Sequence, residues 1–164
     1  MMHRLLLLGL LASSAPALAT PVPLYRLYSS RASDHFYTTS WPEALNAITH
    51  HGYTFENTVG LCHDSNEAGT TPLFRLYSGR AGDHFYTASV EERDLAVATH
   101  GYVSEGVACY VFPSNQAGAC PLIRLWNGTD HFYTLSMQEA INSRYTYEGI
   151  AGYIFAPGGG GCPH

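Results

Sequence analysis

The residues able to do chemistry come in a repeated set. Arg26, Asp34, His35 and Tyr37 recur as Arg75, Asp83, His84 and Tyr86 and again as Arg124, Asp130, His131 and Tyr133, each set followed by a glutamate, Glu56, Glu105 or Glu148. Guanidinium and carboxylate groups beside a tyrosine face can bind sugar hydroxyls and stack on the ring, giving a shallow site once per repeat. An Asp beside a His, or the carboxylates Asp34 and Glu56, could instead be read as acid–base machinery. His35, His84 and His131 around an axis could hold zinc if all three faced inward. The same residues could also satisfy one another as buried polar groups, since a residue kept in every repeat can serve the fold alone.

Catalysis is the weakest of these readings. Adjacent strand residues point to opposite faces, so Asp34 and His35 do not form a natural dyad. The set is also triplicated and lacks a singular nucleophile. The expectation is that the protein is not an enzyme and needs no cofactor. No metal is expected either: the cysteines show no C-x-x-C spacing, and His50, His51, His63 and His100 have no repeating ligand spacing. By strand alternation His35 and Tyr37 share one face and Phe36 and Thr38 the other. Phe36 is the better core candidate, which makes His35 with Tyr37 the ligand-facing pair. The structural and binding readings both stay open for Arg26, Asp34, His35, Tyr37 and their counterparts.

These residues sit in blocks that recur at a spacing of 49 in the first two repeats. Pro23 to Tyr28 recurs as Pro72 to Tyr77 and Pro121 to Trp126; Asp34 to Thr38 recurs as Asp83 to Thr87 and Asp130 to Thr134. Branched and aromatic residues flanked by loop residues read as two strands of a hairpin. Ser40-x-x-Glu43, Ser89-x-x-Glu92 and Ser136-x-x-Glu139 are capping boxes that start a helix in each repeat. Trp41, Ala44, Leu45 and Ile48 form the stripe expected to pack on the sheet. From Ser136 to Tyr145 is nine positions, against thirteen from Ser40 to Tyr53 and from Ser89 to Tyr102, a loss of about one helical turn. A closing strand follows each helix. The sequence therefore predicts an α+β fold of three strand-strand-helix-strand repeats, about 21–70, 71–119 and 120–157, in one pseudo-threefold domain over 20–164 with a short Gly-rich tail. Ring closure would protect the sheet edges.

The blocks P-L-[YFI]-R-L-[YW] and D-H-F-Y-T, the capped helix and G-Y-x-x-E-G resemble an uncharacterised repeat family, a domain of unknown function of secreted bacterial and fungal proteins. The resemblance spans nearly the whole chain after its leader and implies no assigned activity. Departures are Arg144 where Gly precedes the closing tyrosine, Asn57, and Asn127-Gly128-Thr129.

The compartment follows from the ends and the cysteines. Arg4, an apolar run from Leu5 to Leu11 and Ala17-Leu18-Ala19 read as a signal peptide over 1–19, too short to span a bilayer. Cys62, Cys109, Cys120 and Cys162 are then expected to be oxidised, with Cys109 to Cys120 across the inter-repeat loop and Cys62 to Cys162 by default. Asn127 is a glycosylation sequon in an exposed turn. Thirteen acidic against eight basic residues, a net charge of −5, argue against nucleic acid. The reading is a secreted, extracellular, non-catalytic module that binds extracellular or cell-wall glycan multivalently, without membrane attachment. A structural or protein-interaction module (adhesin, effector or inhibitor) is the alternative.

Overall fold

A computed structural model describes residues 19–116 and 118–163. The expected signal peptide therefore lies outside the described residues, apart from Ala19. The same order of elements appears three times: β1 (Val22–Ser29), β2 (Asp34–Thr38), α1 (Trp41–His50) and β3 (Thr54–Cys62); β4 (Thr71–Ser78), β5 (Asp83–Thr87), α2 (Val90–Thr99) and β6 (Val103–Val111); β7 (Ala119–Trp126), β8 (His131–Thr134), α3 (Met137–Ser143) and β9 (Thr146–Phe155). The fold is mixed α+β, with two antiparallel sheets ordered β2-β1-β3-β9-β7-β8 and β5-β4-β6. The P-L-x-R-L block is the middle strand of each triplet, with the D-H-F-Y-T strand on one side and the closing strand on the other.

Each helix starts at the expected serine, whose hydroxyl accepts from the Glu43, Glu92 or Glu139 amide. The reciprocal half of the box differs from expectation. The serine amides donate to Thr38, Thr87 and Thr134, and those hydroxyls donate in turn to Glu43, Glu92 and Glu139. Routing the cap through threonine leaves the glutamate free to face a neighbouring segment. The expected stripe on α1 is corrected in part: Ala44 is buried and Ile48 partly buried, as expected, but Trp41 and Leu45 are about half exposed and Ala47 is the other buried residue. Small residues let the helix lie close to Leu27 and Phe36. The third helix is shorter, as its spacing required, and ends at Arg144 in the left-handed region (φ 63°), where Gly52 and Gly101 stand in the other segments.

The closing strands meet one another in a triangle. Leu61 pairs with Phe155, His63 with Tyr110, and Phe112 with Tyr153. At two of these crossings a glycine faces a larger residue. A Cβ at Gly60 would lie 2.6 Å from the Ile154 side chain, and a Cβ at Gly152 would overlap Val111. At the third crossing the equivalent positions are Cys109 and Cys62, and they form a disulfide with Cα atoms 6.2 Å apart. Cys120 on β7 is bonded to Cys162, which follows β9, with Cα atoms 5.4 Å apart. The expected Cys109–Cys120 and Cys62–Cys162 pairing is thus incorrect. Cys109 and Cys120 flank a loop, but their strands belong to different sheets, and strand crossing rather than loop proximity sets the bond.

The His63, Phe112 and Phe155 rings occupy equivalent places in the triangle, with centroids 5.5–6.1 Å apart in edge contacts. Both ring nitrogens of His63 are buried and have no hydrogen-bond partner among the described residues. Replacing His63 by Phe removes two unsatisfied polar atoms and should stabilise the protein by roughly 1 kcal/mol in urea denaturation. The double variant V111C/G152C should form a further disulfide at the crossing equivalent to Cys62–Cys109 and add roughly 2–4 kcal/mol; non-reducing peptide mapping detects the bond.

Candidate functional site

The three D-H-F-Y-T strands come together at the centre with their outer edges towards one another, so the backbone groups on those edges have no strand partner. Side chains supply the partners. The Tyr86 hydroxyl accepts from the Tyr37 amide and donates to the Tyr37 carbonyl (both 2.8 Å); Tyr133 does the same for Tyr86, and Tyr37 for Tyr133. The three rings pack edge to face at 5.3–5.4 Å. Each tyrosine is 1 % exposed. The expectation that Tyr37, Tyr86 and Tyr133 face a ligand is therefore corrected: they cap edge strands in the core, and no sugar ring can stack on them. Alternation did place Tyr37 opposite Phe36, but both faces of this short strand are covered.

The aspartates perform the matching task one turn of the network away. Asp34 accepts from the His84 amide at 2.8 Å and holds His84 Nδ1 at 2.6 Å; Asp83 binds His131 and Asp130 binds His35 in the same way. Tyr53, Tyr102 and Tyr145 add a hydroxyl donor to Asp34, Asp83 and Asp130. Asp and His thus do pair, though across segments rather than within one. The three carboxylates have oxygens within 4.8 Å of one another and are fully buried. Imidazole, amide and phenol donors already engage these oxygens, the histidine ring and phenol on Oδ2 and the amide on Oδ1.

Beyond each Asp–His pair, a cleft opens between neighbouring segments. Between the first and second it has a volume of about 440 Å³ and is lined by Phe36, Glu43, Arg75, Tyr77, His84 and Glu105. Between the second and third, at about 520 Å³, the matching residues are Phe85, Glu92, Arg124, Trp126, His131 and Glu148. Between the third and first, at about 290 Å³, they are Phe132, Glu139, Arg26, His35 and Glu56, with Tyr145. The sequence expectation of one shallow site per repeat becomes one cleft per joint, each drawing on two segments.

Electrostatics within a cleft are tightly organised. Arg75 makes a bidentate pair with Glu43 (3.0 and 2.9 Å), and Arg124 and Arg26 do so with Glu92 and Glu139. Phenylalanine lies under each guanidinium, at 5.2, 5.2 and 4.8 Å for Arg75, Arg124 and Arg26. On its other side Arg26 Nε donates to Glu56 at 2.7 Å. Arg75 Nε and Arg124 Nε lie 2.8 and 3.1 Å from Glu105 and Glu148, but their N–H groups are not aimed at the oxygen, leaving an ion pair without a hydrogen bond. Each histidine turns Nε2 towards the same glutamate, at 3.5–3.8 Å. Burial raises Glu43, Glu92 and Glu139, but hydrogen bonds from arginine and threonine outweigh it and hold them below the ordinary carboxylate value. Burial, then the Asp34 and Glu105 carboxylates, raises the Tyr77 hydroxyl.

Arg26, Arg75, Arg124, Asp34, Asp83, Asp130, His35, His84 and His131 are thus brought to the joints, whereas the three central tyrosines are not. The sequence reading missed the helix glutamates, which it assigned to capping alone, and Tyr28, Tyr77 and Trp126, which end the P-L-x-R-L block. Their ring centroids lie 4.2–4.6 Å from His35, His84 and His131, and all three are partly exposed. Recurrence of an aromatic at the end of that block was the available signal. Asn127 is exposed in the turn after β7, where its Oδ1 accepts from the Thr129 and Asp130 amides.

A scan of family models matches residues 23–155 to a domain of unknown function (DUF5648). The chain belongs to this family. No curated protein and no solved structure matched it. Among the described residues, no helix is long and apolar enough to cross a membrane.

The shifted glutamates and buried tyrosines set the pH limits of this family member. Glu43, Glu92 and Glu139 lie below their ordinary value of 4.5 when folded, so their contribution is complete above about pH 4.5 and is lost as pH falls further. Burial holds Tyr37, Tyr86 and Tyr133 well above 10.0, so their contribution is complete below about pH 10 and is lost as pH rises. Urea midpoints measured across pH should fall at both ends, and tyrosinate absorbance from these three residues should appear only with unfolding.

Proposed function

We propose that the protein is a secreted, non-catalytic glycan-binding module in which three repeats form one pseudo-threefold domain and each joint carries a sugar site. The observation that supports this is the recurrence, in three clefts, of one chemical set: an aromatic wall, a histidine, and carboxylates fixed by an arginine. Fixed polar groups beside an aromatic face suit a pyranose ring, whose hydroxyls need directed partners and whose C–H face needs an apolar one. Tyr28, Tyr77 and Trp126 replace the central tyrosines as the candidate stacking residues. A non-catalytic role fits the histidine environment. Each imidazole is oriented by an aspartate, and the set occurs three times, whereas an active site is ordinarily singular.

Two disulfides fit an oxidising compartment, in line with the leader read from the sequence. If Asn127 is glycosylated, its glycan stands beside Gly128, at the mouth of the cleft between the second and third segments. A structural or protein-interaction role is the second reading. It is favoured by one observation: the arginine and helix glutamate in each cleft already satisfy each other.

Three sites on one rigid body should raise apparent affinity for a polymer by on the order of 10²–10⁴ over the monosaccharide. Replacing Tyr77 or Trp126 by Ala should weaken polymer binding in steps, and the double variant further, with the melting temperature nearly unchanged. A melting temperature that falls with each substitution, with no separable binding defect, favours the structural reading. Retention of no polysaccharide on a glycan array or intact cell wall removes the glycan reading.

A further inference from the structure

Resting on that reading, we propose that the joint clefts select glycans bearing a free amino group and reject acidic ones. Selection of this kind depends on which charges remain available to a ligand. In the cleft between the first and second segments, Arg75 gives one N–H of each terminal nitrogen to Glu43, has Nε buried beside Glu105 and has its face against Phe36. A carboxylate or sulfate on an incoming sugar would meet a guanidinium that is only 15 % exposed and already committed to a bidentate pair, with the Glu43 and Glu105 carboxylates beside it.

The negative side is different. Glu105 comes nearest to both Arg75 and His84 through Oε2, and its side chain is one-third exposed. Among the described residues no hydrogen bond reaches its Oε1, which leaves that oxygen as an acceptor at the cleft. Glu56 and Glu148 repeat this, coming nearest to Arg26 and His35, or Arg124 and His131, through Oε2, at 32 % and 29 % side-chain exposure. Across one joint, the three carboxylates of Asp34, Glu43 and Glu105 face one guanidinium, Arg75, and one imidazole, His84, so this set is net negative whether or not His84 is protonated; His51 lines the same cleft and would balance it only if both imidazoles were protonated. Tyr77 and Phe36 line the same cleft, and aromatic faces attract an ammonium through the ring quadrupole. A free carboxylate oxygen, an excess of negative charge and aromatic walls together match a protonated amine on a sugar ring. The amine completes the charge balance of the joint, whereas N-acetylation would remove the charge and a uronic acid would reverse it.

The test uses the mature protein and three soluble probes: chitosan oligomers with free amines, the same oligomers fully N-acetylated, and oligogalacturonate. Calorimetry should show the free-amine oligomers bound, the N-acetylated ones weaker by roughly tenfold or more, and oligogalacturonate unbound. Free glucosamine should compete with the polymer at concentrations where N-acetylglucosamine does not, a measurement that needs no variant. The variant E56Q/E105Q/E148Q should lose most of the preference. D64N/E67Q, which changes acidic residues in an exposed loop away from the clefts, should keep it; equal loss in both variants would assign the effect to bulk charge and overturn the proposal. Retention of N-acetylated or acidic oligomers as tightly as amine-bearing ones also overturns it, yet leaves the glycan reading standing. Retention of none of these probes, nor of any other polysaccharide, overturns both.

Discussion

Everything in this molecule depends on how three short edge strands are satisfied where they converge. A strand edge buried away from water must find donors and acceptors or lose roughly 1–3 kcal/mol per unpaired group. Here β2, β5 and β8 each receive a tyrosine hydroxyl from one neighbour and an aspartate carboxylate from the other. No segment completes its own edge, so each is satisfied only in the presence of both others. Mutual dependence of this kind makes the three segments cooperative, with little need for a large helix contact. Each helix accordingly buries only alanines.

The clefts are a by-product of the same device. Because Asp34 reaches across to His84, it fixes the imidazole orientation and turns Nε2 outward towards Glu105. Because the capping serine is served by Thr38, Glu43 can extend to Arg75 on the next segment. Core satisfaction and helix capping therefore deliver a histidine, an arginine and two glutamates to each joint. Such residues are the kind that repetition in sequence makes conspicuous, and here their repetition has a structural cause before it has a functional one. What remains available to a ligand is the part the fold does not consume: the outer glutamate oxygen and the aromatic rim.

The segments are alike without being identical, and the differences fall where a constraint is relaxed. His63 stands where Phe112 and Phe155 complete an aromatic triangle, Cys109 and Cys62 replace a glycine against an aliphatic residue, and Arg144 takes a left-handed position filled by glycine elsewhere. Trp126 in place of Tyr28 and Tyr77 makes the second-to-third cleft the one with the largest aromatic wall. Three joints of one design thus present three related surfaces.

Local order was legible in the sequence: the hairpin of Arg26 and Tyr37, the helix starts at Ser40, Ser89 and Ser136, the shortened third helix and the closing strands, because each is set by contacts within a few residues. Recurrence also marked Arg, Asp, His and Glu as the residues of interest. Alternation, by contrast, assumes that one strand face is solvated, and it misplaced Tyr37, Tyr86 and Tyr133 because a five-residue strand at the centre is covered on both faces. The disulfide partners, the Asp–His pairs and the clefts were decided only by tertiary structure. All three join residues of different segments, and nothing in the spacing along one segment encodes which neighbour its side chains will meet.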